Sequence, residues 1–174
     1  SSATGNLSLA AGHQANASGV QSTAVGKNTN TAGANSAALG FGANASGVSS
    51  LAGGDSAVAS AINSVALGAG ATTASANAAS LGTSVAVGNL AVASDEDAVA
   101  LGDQATASGF HSTAVGGESD ATGRGAQAFG WQSAATGNLS LAAGHQAKAG
   151  GINATAVGKN ANAAFDASTA LGFA

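Results

Sequence analysis

Residues 12–25 read GHQANASGVQSTAV, and residues 102–115 read GDQATASGFHSTAV. Both segments follow the pattern G-x-x-A-x-A-x-G-x-x-S-x-A-[VL], in which we number the first Gly as position 0 and the last apolar residue as position 13. Gly recurs at position 0 every fourteen residues, apart from one interval of twenty, so about twelve such units account for the whole chain. The position-0 glycines are Gly12, Gly26, Gly40, Gly54, Gly68, Gly88, Gly102, Gly116, Gly130, Gly144, Gly158 and Gly172.

Each unit contains two short runs of alternating residues, at positions 3–5 and 10–13, separated by stretches that contain Gly. Alternation with a period of two predicts strands, and the recurring Gly predicts turns. Ala favours helices, but an interior Gly costs a helix about 1 kcal/mol each time it occurs. Because the units repeat in the same sense, the sequence predicts an all-β parallel β-roll of about twelve coils, ~55 to 60 Å long. We expect residues 1–174 to form a single repeat-built segment.

The composition agrees with such a repeat and argues against an ordinary globular core. Ala and Gly supply 48 and 27 of the 174 residues, whereas large apolar side chains are few. The chain has no Cys, which excludes disulfide scaffolds and zinc sites built on cysteine. Only 7% of the residues are charged and the net charge is -4, so we expect no binding to nucleic acid or anionic membranes. The first residue is not Met, and we expect a segment of a longer, exported protein.

The large apolar residues collect at positions 11 and 13, whereas positions 3, 5, 10 and 12 carry mostly Ala, Ser and Thr. If the small residues close a thin interior, the Val and Leu residues form an outward stripe that is too large for a soluble monomer. Association about an axis parallel to the rod would bury three copies of this stripe, so we predict a homotrimer. The reverse assignment, with positions 11 and 13 inside and the Ser/Ala face at the axis, stays open. The predicted interface residues are Val25, Leu39, Leu67, Val87, Leu101, Val115, Phe129, Val157 and Leu171.

Two irregularities interrupt the simple repeat. The interval of twenty between Gly68 and Gly88 places a six-residue insertion between about residues 74 and 83, which we interpret as a looped-out bulge. Residues 135–162 repeat residues 3–30 with 22 identities in 28, at exposed as well as interior positions. Such near-identity indicates a segmental duplication, which suits a surface that binds its ligand at several places.

Four residues at position 1, directly after the turn Gly, are candidates for ligand contact. Phe41 and Trp131 are aromatic residues in a chain that has few, and they would either anchor a protein ligand or pack between protomers. His13 and His145 occupy the same position and are interpreted either as possible ligand contacts or as ordinary turn residues. Arg124 is interpreted as solvated.

The sequence offers no catalytic, metal or cofactor site. The three histidines, His13, His111 and His145, are too far apart in the repeat to share a metal ion or to pair with a catalytic partner. The acidic run 95–97 lacks the spacing of a calcium loop, and we interpret it as a solvated turn. Lys148 is likewise interpreted as a solvated surface residue. Neither a nucleophile motif nor a phosphate-binding loop occurs.

The repeated Ser-x-Ala-Val/Leu-Gly followed by x-x-Ala-x-Ala-x-Gly resembles the head of the YadA-like trimeric autotransporter adhesins, over essentially the whole chain. The resemblance implies a left-handed parallel β-roll in a side-by-side homotrimer on a Gram-negative outer membrane, attached through a C-terminal anchor that this sequence lacks. It further implies non-enzymatic adhesion to host cells or to matrix proteins such as collagen and fibronectin. The departures from the pattern are Gly53 at position 13, and Ala61, Asp95 and Phe165 where the second Gly is expected.

Three other functions are compatible with a solenoid. A rigid spacer without ligand contact is the main alternative. An ice-binding solenoid needs an uninterrupted array of Thr, whereas the Thr residues at position 11 are interrupted by Leu51, Val65 and Gln127 among others. A β-helix acyltransferase repeats hexapeptides, and fourteen is not a multiple of six.

Overall fold

The computed structural model describes residues 1–74 and 82–173, which form 24 short strands and no helix. None of these residues lies in a helix long and apolar enough to cross a membrane. The strands make two parallel sheets of twelve, and the chain alternates between the two sheets. The first sheet contains β1 (Ser2–Ala3), β3 (Asn16–Ala17), β5 (Asn30–Thr31), β7 (Asn44–Ala45), β9 (Val58–Ala59), β11 (Thr72–Thr73), β13 (Val92–Ala93), β15 (Thr106–Ala107), β17 (Asp120–Ala121), β19 (Ala134–Ala135), β21 (Lys148–Ala149) and β23 (Asn162–Ala163).

The second sheet contains β2 (Leu9–Ala11), β4 (Thr23–Val25), β6 (Ala37–Leu39), β8 (Leu51–Gly53), β10 (Val65–Leu67), β12 (Val85–Val87), β14 (Val99–Leu101), β16 (Thr113–Val115), β18 (Gln127–Phe129), β20 (Leu141–Ala143), β22 (Thr155–Val157) and β24 (Thr169–Leu171). Strands of the first sheet occupy positions 4 and 5 of the repeat, and those of the second sheet occupy positions 11 to 13. Each strand pairs with the strand two places further along the chain. The predicted parallel solenoid of about twelve coils is therefore confirmed.

Pairing follows the position in the repeat and not the number of residues between the partners. Most partners are fourteen residues apart, as with Ala10 and Ala24. Across the long interval the spacing is twenty, because Val65 pairs with Val85 and Thr72 pairs with Val92. The insertion that the sequence places at 74–83 falls largely on residues 75–81, which lie outside the described residues.

The interior of the roll is built from very small side chains. Ala residues at positions 3, 5 and 12 are fully buried, as Ala100, Ala105 and Ala107 illustrate. Position 10 is also buried, and Ser22 there donates its hydroxyl to the carbonyl oxygen of Gly19 at 2.8 Å. Because positions 10 and 12 face inward, positions 11 and 13 face outward. The reverse assignment of the two faces is therefore wrong for the isolated roll.

Gly occupies the turns for two different reasons. Gly116, at position 0, has a φ of +132°, and a Cβ built on it would lie 2.6 Å from the carbonyl oxygen of Gly130 in the next coil. Gly19, at position 7, has an ordinary φ, but its Cβ would lie 2.6 Å from the carbonyl carbon of Gly33. The close stacking of coils thus favours Gly at position 7 in most coils, even though the backbone conformation does not require it and Ala61, Asp95 and Phe165 take its place in three coils.

Each turn also contains a residue in the left-handed conformation, at positions 2 and 9. Most of these residues are not Gly; Asn28 and Gln21 are examples, with φ of +60° and +56°. Sequence reasoning attributed the turns to Gly and missed these two positions. The sequence signal for them is weak: Asn, which tolerates this conformation better than most residues, occurs at five of these positions, but Gln occurs at five others.

Candidate binding surface

Position 13 forms a column of apolar side chains along the outer face of the second sheet. Val25, Leu39 and Phe129 are 37%, 45% and 38% exposed. At Gly53 the column has no side chain of its own, but a Cβ built there would lie 2.8 Å from Cδ2 of Leu67, so Leu67 covers the gap. We call this set the apolar column. It brings together all the residues that the sequence assigns to an interface, namely Val25, Leu39, Leu67, Val87, Leu101, Val115, Phe129, Val157 and Leu171.

Position 1 forms a second column, at a turn, in which rings and cations contact each other between adjacent coils. Trp131 is 43% exposed, and the centroid of its ring lies 4.7 Å from that of His145. Phe41 is 50% exposed, and Nζ of Lys27 lies 5.6 Å from the centroid of its ring. Of the four residues that the sequence singled out for ligand contact, only Trp131 and His145 touch. Phe41 contacts Lys27 instead, and His13 lies near the opposite end of the column from His145.

The other end of the roll's cross-section carries a cluster that sequence reasoning missed. The ring centroids of Phe110 and His111 are 3.8 Å apart, and Cζ of Arg124 lies 4.8 Å from the centroid of Phe110. Nε2 of His111 lies 3.4 Å from Oδ2 of Asp97, and Thr83 donates its hydroxyl to Oδ1 of Asp97 at 2.9 Å. The sequence pattern alone leads us to interpret Arg124 and the acidic run 95–97 as separate, solvated features. The repeat itself points to this cluster, because residues fourteen positions apart lie next to each other in adjacent coils.

Amide side chains form a ladder on the outer face of the first sheet, at position 4. Nδ2 of Asn16 donates to Oδ1 of Asn30 at 2.9 Å, and Nδ2 of Asn30 donates to Oδ1 of Asn44 at 3.0 Å. Identical residues in parallel register can repeat the same hydrogen bond from coil to coil. This asparagine ladder links three adjacent coils on the outer face of the first sheet near the N-terminus.

A second polar arrangement occurs near the C-terminus, at position 2 of the turn that precedes the first sheet. There, Nε2 of Gln146 donates to Oε1 of Gln132 at 2.8 Å, and Nε2 of Gln132 donates to Oε2 of Glu118 at 2.7 Å. The two glutamines border an open groove of about 510 Å³, which we call the amide groove. The groove is lined by Gln132, Gln146, Lys148, Asn160 and Asn162.

Asp120 lies at position 4 in the coil above the amide groove, between Thr106 and Ala134 in the sheet register. Its Oδ1 atom is buried and has no hydrogen-bond partner in the described part of the chain. Desolvation by burial raises the pKa of this carboxyl above its ordinary value. The ionised form of Asp120 therefore costs the folded protein some stability.

Together the columns, the amide ladder and the groove give this rod many weakly polar contacts. Within residues 1–74 and 82–173, no three His, Asp or Glu side chains are placed to hold a metal ion jointly. The side chains of these surfaces can stack aromatic rings, form amide hydrogen bonds and bury apolar area. All three are means of recognition.

A family model for the YadA head domain repeat matches this chain in eight overlapping or adjacent segments. The matched segments are 3–29, 32–57, 45–71, 59–83, 82–105, 107–133, 135–161 and 149–174. No curated protein gives a significant match. Because the family model covers nearly the whole sequence and the fold is the expected solenoid, the chain belongs to the YadA head repeat family of trimeric autotransporter adhesins.

Proposed function

We propose that this chain is part of the head of a homotrimeric adhesin on a bacterial outer membrane, where it attaches the cell to host cells or matrix proteins. Collagen and fibronectin are the types of protein ligand that we expect. The observation that carries the proposal is the combination of YadA head repeats over the chain with continuous columns of exposed side chains along the rod. The head acts by binding and not by catalysis, and it needs no cofactor.

The apolar column supports the trimer. Its side chains are more than one third exposed at most coils, and they follow one another without a polar interruption in the second sheet. Burying apolar surface is worth about 25 cal/mol per Å², so a column that runs the length of the roll favours association strongly. A threefold axis parallel to the rod buries three equivalent columns at once and closes the assembly. The three rolls then lie side by side, each left-handed as in the family.

The position-1 column supports direct contact with a ligand. It lies on the turn that follows the apolar column, one Gly further along the chain, and exposes Trp131, Phe41 and histidine side chains in different coils. A row of such residues, repeated in three protomers, binds an extended protein at several points, and repeated weak contacts gain strength from their number. A rigid spacer without ligand contact is the second candidate, and the experiment below separates the two.

The test is binding of the purified trimer to immobilised collagen, fibronectin and laminin, compared with Trp131→Ala. We expect the wild type to bind at least one of these proteins. Loss of an aromatic anchor costs about 2 kcal/mol or more, so the variant should bind roughly 30-fold more weakly. Phe165→Ala is the matched control, because Phe165 is 81% exposed but lies outside the position-1 column, and its binding should not change. Absence of binding to all three proteins would leave only the spacer role.

A further inference from the structure

We propose that the amide groove binds a carboxylated saccharide of the uronic acid type, and that Lys148 selects the carboxylate. The proposal rests on the proposed exposure of the head at the cell surface, but it does not depend on which matrix protein the head binds. It gives a chemical role to side chains of position 4 of the first sheet and of the adjoining turn, where Gln132 and Gln146 follow Trp131 and His145 in sequence.

The amides of the groove are arranged to recognise hydroxyl groups. A side-chain amide offers two donor hydrogens and an acceptor oxygen with two lone pairs. The bonds from Gln146 to Gln132 and from Gln132 to Glu118 use one hydrogen of each glutamine and hold both side chains in a fixed orientation. Each glutamine therefore keeps a second hydrogen for a ligand that lies along the groove. A saccharide presents several hydroxyl groups, each of them both donor and acceptor.

Lys148 supplies the charge in this otherwise neutral lining. The side chain is exposed, and no carboxylate of residues 1–74 and 82–173 forms an ion pair with it. A hydrogen bond between an ammonium and a carboxylate is about twice as strong as one between neutral groups. The whole chain carries only 4 Lys and Arg residues and a net charge of -4, so its field opposes a polyanion such as a sulfated glycan. One isolated cation among amides matches a sugar with a single carboxylate.

The internal duplication contains a natural comparison for this groove. Residues 3–30 correspond to residues 135–162, so Gln14, Asn16 and Asn30 correspond to Gln146, Lys148 and Asn162. In the N-terminal copy, Asn16 donates to Asn30 at 2.9 Å and the ladder is closed. Lysine is a donor only and cannot pass a hydrogen bond along a ladder as an amide does. The change from Asn to Lys therefore turns a closed structural ladder into an open cationic groove.

The proposed trimer leaves the amide groove open. Lys148 and Asn162 of the groove lie on the outer face of the first sheet, and its other side chains lie on the turn that precedes this sheet. The apolar column lies on the outer face of the second sheet, and the two sheets pack back to back. Burial of the apolar column at the axis turns the groove toward the outside of the assembly. A trimer then presents three equivalent grooves at one level of the rod, which favours a ligand that displays several copies of the sugar.

The experiment measures binding of the intact protein to three soluble polymers, one bearing glucuronic acid, one bearing glucose and one being heparin. We expect binding to the glucuronyl polymer, with about 10-fold weaker binding to the glucosyl polymer, because the two sugars differ in the carboxylate. We also expect Lys148→Asn to lose about 10-fold in affinity for the glucuronyl polymer. Equal binding of both sugars, or stronger binding of heparin, would overturn the proposal.

Lys159→Asn is the matched control, because Lys159 lies over Phe173 in the position-1 column and does not line the groove. It should bind the glucuronyl polymer as the wild type does, and an equal loss in both variants would show a general charge effect instead of a site. Lys148→Asn restores the residue found at Asn16 and should fold normally, which circular dichroism can verify. Adhesion of Lys148→Asn to matrix proteins should be unchanged. Failure of sugar binding with intact matrix adhesion would therefore refute this inference and leave the proposed function standing.

Discussion

At the scale of single residues, the repeated Gly is more than a marker of turns. At position 0 the backbone enters a conformation that side chains disfavour, and the next coil also occupies the space of a Cβ. At position 7 only the second reason applies. Small interior residues follow from the same cause, because a thin roll with closely stacked coils has room for Ala and Ser but not for Val or Leu.

We predict that Gly116→Ala destabilises the protein by about 1–3 kcal/mol, because it forces a side chain into a left-handed conformation and against Gly130. Gly150→Ala is the control, since its Cβ would meet nothing closer than 3.9 Å and its φ is ordinary. That change should be neutral or stabilising by about 0.4–1 kcal/mol. Urea denaturation followed by circular dichroism measures both. If the two variants had similar free energies of unfolding, neither the contact between coils nor the backbone conformation would explain the Gly at position 0.

At the scale of elements, the strands are too short to be stable by themselves. Each has two or three residues, and it is held by backbone bonds to the coils on either side, as when the N–H of Thr23 donates to the carbonyl oxygen of Ser36 at 2.9 Å. The free energy of unfolding of such a repeat protein is approximately the sum of a contribution from each coil and a contribution from each contact between neighbouring coils. Side-chain ladders add to these contacts on the outer face.

We predict a graded loss of stability along the asparagine ladder. Asn30→Ala removes two hydrogen bonds and Asn44→Ala removes one, and each bond contributes about 0.5–1.5 kcal/mol. The first variant should therefore lose about twice as much stability as the second in chemical denaturation. Asn6→Ala is the control, because Asn6 is exposed and lies outside the ladder. An equal effect of all three changes would show that the ladder contributes nothing.

At the scale of the whole molecule, the thin interior leaves most of the large apolar side chains on the outside. The described residues bury mainly Ala, while Val25, Leu39 and Phe129 stay more than one third exposed. An exposed apolar column of this length is the kind of surface that marks a protein–protein contact, which supports the proposed trimer. Self-association through the apolar column is the arrangement that buries it in every copy.

We predict that Leu67→Glu dissociates the proposed trimer and leaves the roll folded, because the side chain points outward and three carboxylates would meet near the proposed axis. Sedimentation velocity gives the mass, and circular dichroism reports the fold. Leu139→Glu is the control, since Leu139 is 65% exposed on a turn outside the apolar column. A variant at Leu67 that stays trimeric would refute the proposed interface.

Much of the fold can be read from the sequence, because its signals are local and periodic. The alternation at positions 3–5 and 10–13 predicts strands, the spacing of fourteen predicts stacked parallel coils, and the placement of Ala predicts a thin interior. The contacts of the candidate binding surface are harder to predict from the sequence. Trp131 and His145 were recognised as residues of one position, but Arg124 was interpreted as solvated, although it contacts the ring of Phe110.

The sequence by itself determined that the chain is an all-β repeat of parallel coils, since a periodic pattern needs no knowledge of distant contacts. Only the tertiary structure decided which face is inside, which turn residues other than Gly adopt the left-handed conformation, and which side chains meet across coils. The reason is that stacking places residues fourteen or twenty apart at the spacing of adjacent strands, about 4.8 Å. Lys148 is an example. In the sequence it is one solvated lysine, whereas in the folded chain it lines a groove together with Gln132, Gln146 and Asn162.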